Sequence, residues 1–351
     1  MENKGSEMAK KSLSRFAEAL RNGKVVAFPT ETVYGLGASA WNADAIARVF
    51  TLKGRPPDNP LIVHINSTDM LDSLVLTISE DATKLFEAFW PGPLTLIFPK
   101  KPEVLDIVTA GIPTVAVRMP DHPVPLRLIA ESGPLAAPSA NTSGRPSPTR
   151  AEHVLQDFGN EIPVIEGGVC QYGLESTVLD LTSEPYTILR PGHVTQSELE
   201  QVLGKPVRVH SPLPVDENGA APRSPGMKYT HYAPNATVRW MDPEEVPAEQ
   251  DTHKTLYLLH QCEPHVEWTS KSGQGAATAS APDTHIKRQI HSHIIHYQEN
   301  YLEMARELYD RFRMADLKGY SEISIEPFSL TEETTVALRN RIMKAISTEG
   351  R

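Results

Sequence analysis

The sequence is poor in cysteine and contains no long hydrophobic segment. Its 351 residues include two cysteines, Cys170 and Cys262, which lie far apart in the chain. No apolar run reaches the length of about 18 residues that a membrane-spanning helix requires. The first residues also lack the apolar core of a secretory signal peptide. These absences predict reduced thiols, a cytoplasmic location and no membrane-spanning segment.

Several familiar active-site motifs are missing too. Neither G-x-G-x-x-G nor G-x-x-x-x-G-K-[ST] occurs, so the sequence has no standard phosphate-binding loop. It has no C-x-x-C pair and no evident Ser-His-Asp or Cys-His arrangement. A histidine cluster lacks the H-x-x-x-H spacing that places two imidazoles on one helix face, which favours a solvated helix start over a zinc or nickel site. Its members are His285, His291, His293 and His296.

The chain is long enough for two domains, each with its own core. Hydrophobic residues make up 40% and charged residues 22%, which is typical of a globular protein. The net charge of −10 disfavours binding to nucleic acid by bulk electrostatic attraction. It is compatible with a local basic pocket for a small anion. The candidates for such a pocket are Lys53, Arg55, Arg118, Arg145 and Arg190.

Apolar runs alternate with amphipathic segments from about residue 10 to 209, which predicts an α/β fold with a twisted sheet. The predicted strands are Val25–Phe28, Leu61–Ile65, Leu94–Phe98, Val115–Val117, Val178–Leu181 and Ile188–Leu189. The predicted helices are Ala43–Leu52, Glu80–Phe89, Pro125–Ser132, Arg150–Phe158 and Gln196–Leu203. Thr195 and Glu198 have the spacing of a capping box at the start of the last helix.

A segment rich in Pro, Gly and Ala at residues 210–236 predicts a linker. Its part Ser224–Pro234 holds more aromatic side chains and hydrogen-bond donors than an inert spacer needs. Beyond it, a small Rossmann-like α/β domain is predicted at residues 237–351, with residues 264–290 as a polar loop. Its strands are Thr237–Trp240, Thr255–Leu259 and Glu322–Ile325, and its helices are Tyr301–Phe312 and Thr331–Ile346.

Two polar segments lie next to apolar runs. PTETVYGLG, residues 29–37, comes after the first predicted strand, and KGRPPDNP, residues 53–60, comes before the second. Polar groups at strand ends serve a turn or a ligand. Lys53 and Arg55 would point the same way from an extended loop and would suit a triphosphate, although a solvated loop is the alternative.

Two further patterns suit anionic or nucleotide ligands. Arg118 ends a predicted strand, and its guanidinium matches a carboxylate with two parallel hydrogen bonds, the alternative being a surface salt bridge. Ser139 and Asn141 would share one face of an extended chain and could hydrogen-bond a nucleotide. On its own, S-x-N is most often turn chemistry.

Together these motifs resemble the YrdC-like family, and the length resembles its two-domain members, the threonylcarbamoyl-AMP synthases. The resemblance implies a twisted mixed sheet with flanking helices forming a concave pocket, plus a smaller Rossmann-like α/β domain. It implies a catalytic domain at residues 1–209, a linker at 210–236 that folds over the active site, and a C-terminal domain at 237–351. The family's glycine-rich stretch before the last helix is replaced here by Glu326–Thr331, so the role of the second domain is left open.

The resemblance also implies an activity. The expected enzyme is a nucleotidyltransferase that makes L-threonylcarbamoyl-AMP and pyrophosphate from L-threonine, bicarbonate or CO2, and ATP. The product would serve the modification of the adenosine next to the tRNA anticodon, with a downstream threonylcarbamoyl transferase and tRNA as indirect partners. Mg²⁺ is expected with ATP, held by phosphates and water rather than by protein side chains.

Site residues follow from the same resemblance. Catalysis is expected to rest on positioning and on charge stabilisation by Lys53 and Arg55. The residues expected to bind threonine are Thr30, His64, Arg118 and Ser176, and Glu31 and Thr32 are expected to shape the pocket. The residues expected to bind ATP are Lys53, Arg55, Asn59, Ser139, Asn141, Arg145, Arg190, His231 and Tyr232.

Two other functions fit parts of the pattern. One is a module that binds tRNA or double-stranded RNA without catalysis, which the net acidity and the scarcity of basic-aromatic runs disfavour. The other is a carbamoyl-phosphate-using enzyme of the kind that carries extra zinc-finger modules, which the missing C-x-x-C pairs disfavour.

Overall fold

The computed structural model describes residues 13–210, 232–245, 247, 254–260, 293–329 and 333–346. Within these ranges the chain forms a nine-stranded mixed sheet and a four-stranded parallel sheet, each with helices packed against it. The predicted α/β fold class is confirmed. No helix in the described ranges is both long enough and apolar enough to cross a membrane.

The first sheet is mixed because three of its pairs of neighbouring strands are parallel and the other five are antiparallel. Its strands are β1 (Val26–Phe28), β2 (Gly35–Ser39), β3 (Ile62–His64), β4 (Leu94–Pro99), β5 (Thr114–Arg118), β6 (Leu135–Ala136), β7 (Thr177–Asp180), β8 (Thr187–Arg190) and β9 (Arg208–Val209). They lie in the order β1-β2-β6-β3-β5-β4-β7-β8-β9.

We call residues 13–210, which contain the first sheet, the first unit, and the described residues from 232 onward, which contain the second sheet, the second unit. Helices of the first unit begin and end at residues that the sequence marks as helix caps. Asn42 caps the helix Ala43–Lys53 by accepting a hydrogen bond from the Ala45 N–H, and this helix ends where Gly54 adopts a left-handed conformation. The predicted capping box of Thr195 and Glu198 is present at α7. The helices are α1 (13–21), α2 (Ala43–Lys53), α3 (Glu80–Phe89), α4 (Asp106–Thr109), α5 (Pro123–Ser132), α6 (Ala151–Phe158) and α7 (Gln196–Leu203), with a 3-10 helix at Thr68–Ser73.

The second sheet is wholly parallel, in the order β10-β13-β11-β12. Its strands are β10 (Thr237–Trp240), β11 (Thr255–Leu259), β12 (Ile294–His296) and β13 (Glu322–Ile325), and its helices are α8 (Tyr301–Lys318) and α9 (Thr334–Ile346). Helix α8 buries an apolar stripe with helical spacing against this sheet. Parallel strands with packed helices form the arrangement expected for a Rossmann-like unit.

Two strands lie where the sequence predicted other structures, a turn and a helix start. β2, GLGAS, was predicted as a turn because it contains glycine, but Gly37 is needed there: a Cβ at Gly37 would lie 2.5 Å from Cε1 of Phe28. The predicted solvated helix start at the histidines is also wrong. His293 is buried and His296 ends β12, because the β-branched pair Ile294–Ile295 favours a strand.

Some predictions fall outside the described ranges. His285, His291 and Cys262 lie there, as does most of the predicted linker, so the boundaries at 209, 236 and 237 stay predictions. Among the described residues no group of three or more potential metal ligands occurs. Cys170 is a buried free thiol, and burial raises its pKa to about 12, so it is chemically inert.

We expect Gly192→Ala to lower the free energy of unfolding by about 3 kcal/mol. A Cβ at this position would lie 2.2 Å from the backbone nitrogen of Thr177 and 2.5 Å from the carbonyl carbon of Ser176, which are backbone atoms that cannot rotate away. The control is Gly204→Ala, where nothing lies within 4 Å and only the left-handed conformation costs about 1 kcal/mol. Urea denaturation measures both values, and equal losses would contradict the close-approach argument.

Candidate active site

One cavity gathers the polar ends of several elements of the first unit. It is lined by the turn after β1, the end of α2, the last residues of β3, β5 and β8, the loop after β6 and the loop before β7. Its cationic lining residues are Lys53, Arg55, Arg118, Arg145 and Arg190, the same five proposed for a local basic pocket. Among the described lining residues Glu175 is the single carboxylate.

The structure brings most of the predicted site residues together in this cavity. The predicted residues that line it are Thr30, Thr32, Lys53, Arg55, His64, Arg118, Ser139, Asn141, Arg145, Ser176, Arg190 and Tyr232. Glu31, also expected to shape the pocket, is buried and is not in the lining. Asn59 is fully buried but is not in the lining, and its backbone carbonyl accepts a hydrogen bond from Arg55. His231 lies outside the described residues. The binding roles of all these residues stay predictions.

Strand register explains why residues so distant in sequence meet. His64 pairs with Arg118 across β3 and β5, and Arg118 pairs with Thr95 across β5 and β4. Thr95 then pairs with Val178, and Val178 with Arg190, across β4, β7 and β8. Paired residues on neighbouring strands point to the same face. One row across five strands therefore places His64, Arg118, Thr95 and Arg190 on one side of the sheet.

Arg118 forms a buried ion pair with Glu31, not the surface salt bridge considered as an alternative. Its Nη2 donates to Glu31 Oε1 at 2.6 Å, Nη1 to Thr32 Oγ1 at 2.8 Å and Nε to the Gly92 carbonyl at 3.2 Å. These bonds fix the guanidinium plane and use three of its five N–H donors. The other two donors are the means by which Arg118 would bind a substrate carboxylate.

Lys53 does not lie in an extended loop as predicted, although its side chain and that of Arg55 both line the cavity. Helix α2 continues through Lys53, and Gly54 then reverses the chain. The Lys53 ammonium donates to the carbonyls of Ser139 and Asn141. Burial and the neighbouring Arg55 charge lower the pKa of Lys53 well below its usual value. Lys53 thus holds the S-x-N segment against α2.

The S-x-N segment itself is a turn and not an extended chain. The Asn141 N–H donates to the Ser139 carbonyl at 3.0 Å, and Ser139 Oγ donates to Asn141 Oδ1. Asn141 Nδ2 donates to the carbonyls of Thr142 and Arg145. Both side chains still line the cavity, so the turn presents them to a ligand as a fixed unit.

His64 is a neutral group in this site. Burial, together with the positive charge of Arg118, lowers the pKa of His64 to about 3. Its imidazole therefore offers one donor and one acceptor at physiological pH and adds no charge. A neutral, rigid hydrogen-bonding group suits a small polar substrate better than an anion.

Sequence reasoning missed three contributors to the site. Thr95 is the second residue of the mostly apolar strand β4, and its Oγ1 lies 2.7 Å from Ser176 Oγ. Tyr309 and Arg341, from the second unit, both contact Glu175. The available signal was a charged residue on an apolar helical stripe, since Arg341 lies three residues after Leu338 and next to Ile342, both fully buried.

Comparisons with known proteins identify the family of the chain. A model of the Sua5–YciO–YrdC family, described as telomere recombination, matches residues 18–192. A second model, described as the threonylcarbamoyl-AMP synthase C-terminal domain, matches residues 194–347. The chain belongs to the threonylcarbamoyl-AMP synthase family. The predicted resemblance, including the two-domain form, is confirmed.

Relatives of similar length support the same assignment. The threonylcarbamoyl-AMP synthase of Pyrococcus abyssi is 42% identical over 93% of this chain and 91% of its own. The threonylcarbamoyl-AMP synthase of Bacillus subtilis is 43% identical over 95% of this chain and 92% of its own. A crystal structure of P. abyssi Sua5 complexed with L-threonine superposes with a TM-score of 0.77 at 40% identity, covering 95% of this chain and 94% of that one.

His64 should make stability depend on pH. Its folded pKa, about 3, lies below the value of about 6.5 for an unfolded histidine, so the unfolded state binds more protons between these values. Stability is therefore lost as pH falls below 6.5, by about 2 kcal/mol at pH 5. We expect His64→Asn to lose about 2 kcal/mol less than the parent between pH 7.5 and 5 in urea denaturation. The exposed His210→Asn is the control, and equal losses for parent and His64→Asn would refute the assignment.

Arg118→Lys should weaken threonine binding by about tenfold or more. A lysine keeps a positive charge beside Glu31 but cannot offer two parallel N–H groups to a carboxylate. ATP binding should change by less than about threefold. Titration calorimetry measures both dissociation constants, with Arg127→Lys as control because Arg127 pairs with Glu131 on an exposed helix face. Unchanged threonine affinity in Arg118→Lys would remove this residue from the carboxylate site.

Proposed function

We propose that the protein catalyses the synthesis of L-threonylcarbamoyl-AMP from L-threonine, bicarbonate or CO2, and ATP. The observation that carries the proposal is a direct contact between a residue expected to bind the nucleotide and a residue expected to bind threonine. Arg190, expected at the nucleotide, donates through Nε to the Ser176 carbonyl and through Nη2 to Ser176 Oγ, both at 3.1 Å. Ser176 is expected at the threonine, so a group built on the threonine amine would form beside the nucleotide.

The reaction is written in two balanced steps. The threonine amine attacks the carbon of bicarbonate or CO2 and a carbamate forms. With CO2 the amine nitrogen loses one proton to solvent, and with bicarbonate that proton leaves with the hydroxyl group as water. A carbamate oxygen then attacks the α-phosphorus of ATP. The bond between the α-phosphorus and the oxygen that bridges it to the β-phosphate breaks, and pyrophosphate leaves. The chain needs no covalent intermediate for this, because positioning and charge stabilisation suffice.

The charges around the cavity suit these steps. Lys53, Arg55 and Arg190 lie where they would offset the charge of a triphosphate that otherwise repels an attacking carbamate. Glu175 is bound by Ser147, Tyr309 and Arg341, so it is not free to repel the anionic reactants. We place Arg118 at the threonine carboxylate, with Thr30 and His64 beside it.

Mg²⁺ would accompany ATP. Among the described residues no cluster of potential metal ligands occurs, and the one lining carboxylate is already paired with Arg341. The donor set therefore fits a metal held by phosphate oxygens and water, not by a protein cage. Mg²⁺ would supply charge neutralisation on the triphosphate.

The product would pass to a downstream threonylcarbamoyl transferase that modifies tRNA, so tRNA is an indirect partner. Phosphoric-carboxylic mixed anhydrides are reactive acyl donors, which is the chemistry that such a transferase requires. The alternative of an RNA-binding module without catalysis has no observation that favours it.

A reconstitution assay tests the proposal. The purified protein is incubated with ATP, Mg²⁺ and bicarbonate, with threonine, serine or no amino acid, and pyrophosphate and the adenylate are followed by mass spectrometry. We expect pyrophosphate release that requires threonine and bicarbonate together, with a threonylcarbamoyl-adenylate peak. Serine, which lacks one methyl group, should be used about 10- to 200-fold less efficiently. ATP binding without any threonine-dependent turnover would overturn the proposal.

A further inference from the structure

A fully buried arginine of the second unit contacts the loop that carries Ser176. Arg341, on α9, donates from Nε to Glu175 Oε2 at 2.8 Å and from Nη1 to the Pro191 carbonyl at 2.9 Å. Glu175 directly precedes Ser176, and Pro191 directly follows Arg190. One guanidinium therefore holds the backbone next to two cavity residues that belong to different strands.

Two more side chains complete the anchorage of Glu175. Ser147 Oγ donates to Glu175 Oε1 at 2.6 Å, and Tyr309 Oη on α8 lies 3.1 Å from Oε2. Burial alone would raise the pKa of Glu175, but the charges of Arg341 and Arg190 and the hydrogen bonds from Ser147 and Arg341 lower it to about 2. Glu175 is thus a carboxylate with a fixed geometry at every physiological pH.

Ser176 is held on its other side by the first sheet. Its Oγ contacts Thr95 Oγ1 at 2.7 Å and accepts from Arg190 Nη2 at 3.1 Å. A serine hydroxyl that must meet a small substrate needs its backbone fixed as well as its rotamer. The sheet supplies the rotamer contacts, and the Glu175–Arg341 pair supplies the backbone anchor.

We propose that Arg341 is a positioning residue for the threonine site: by binding Glu175 and the Pro191 carbonyl, it fixes the Glu175–Ser176 backbone against Arg190. The inference rests on the proposed function, in which Ser176 contacts threonine. It gives the second unit a role in the reaction, which the sequence left open. Arg341 acts through Glu175 and does not line the cavity.

Other contacts between the two units lack this connection. Arg313 is also buried, but its described hydrogen bonds, which include those to Asp157 and the Pro146 carbonyl, do not go to Glu175 or Pro191. Arg150 forms a more exposed pair with Asp310 on α8, with Nε and Oδ1 3.1 Å apart. Both join the units, but among the described contacts only Arg341 reaches both Glu175 and Pro191, since Tyr309 contacts Glu175 alone of the two. Arg150 therefore offers a control for the general effect of weakening the interface.

The test compares Arg341→Lys with Arg150→Lys in the full-length protein. Lysine keeps the charge but lacks the planar set of N–H donors with which a guanidinium can hydrogen-bond to Glu175 and to the Pro191 carbonyl together. We expect Arg341→Lys to raise the threonine KM and the calorimetric threonine Kd at least tenfold, with a change in the ATP KM at least threefold smaller. Arg150→Lys should leave both threonine constants within twofold of the parent.

Tyr309→Phe serves as a second variant in case Arg341→Lys does not fold. It removes one hydrogen bond to Glu175 without changing the packed volume, and it should raise the threonine KM about three- to fivefold. A structural role alone would lower the melting temperature and leave the threonine KM unchanged, and this result in the folded variants would overturn the inference while leaving the proposed function intact. A parent protein that binds no threonine would overturn both.

Discussion

The cross-strand register from β3 to β8 is the constraint on which the cavity depends. It places His64, Arg118, Thr95 and Arg190 in one row on one face of the first sheet. Because side chains alternate between faces along a strand, a slip by one residue in any of these pairs would turn its residue away. Val178, which belongs to this row, forms a core cluster with Ile62, Ala116 and Ile97, each two residues along its strand from the row. The burial of that cluster therefore also protects the alignment of the polar residues.

Gathering cations in a buried cavity is unfavourable unless each one is bound. The structure satisfies the condition with a different partner for each cation: carboxylates for Arg118 and Arg145, and backbone carbonyls for Lys53, Arg55 and Arg190. Neutral carbonyl partners leave the positive charge uncompensated. The cavity therefore keeps a positive potential that an anionic ligand would relieve, and it needs no loop of the common phosphate-binding type.

Sequence reasoning predicted the site better where chemistry was local. Thr30, Ser139 and Asn141 follow apolar runs within a few residues, so their position at strand ends could be seen without the fold. Helix ends such as Gly54 and the Thr195 capping box were equally local. What failed was the geometry around them: the continuation of α2 through Lys53, and the turn at Ser139–Asn141, depend on the close packing of these two segments.

Long-range partners could not be predicted from the sequence. No residue near Glu175 in the sequence indicates that Arg341 is its partner. The two residues are separated by 166 positions, and neither stands out from its neighbours as half of an ion pair. The strand β2 was hidden for a related reason, since its glycines are explained by the Phe28 ring on the neighbouring strand. The structural role of such positions is set by the residues they contact in the folded protein and not by the composition of the surrounding sequence.

The separation of Glu175 from Arg341 has a consequence for biosynthesis. At about 5–20 residues per second, a ribosome needs roughly 8–33 s to add the residues between them. During that interval the nascent chain contains Glu175, but its cationic partner Arg341 has not yet been translated. The loop bearing Ser176 therefore lacks this contact while the rest of the first sheet is translated, and it gains the contact only after α9 has been made. Completion of the binding site is thus a late event in the life of each new molecule.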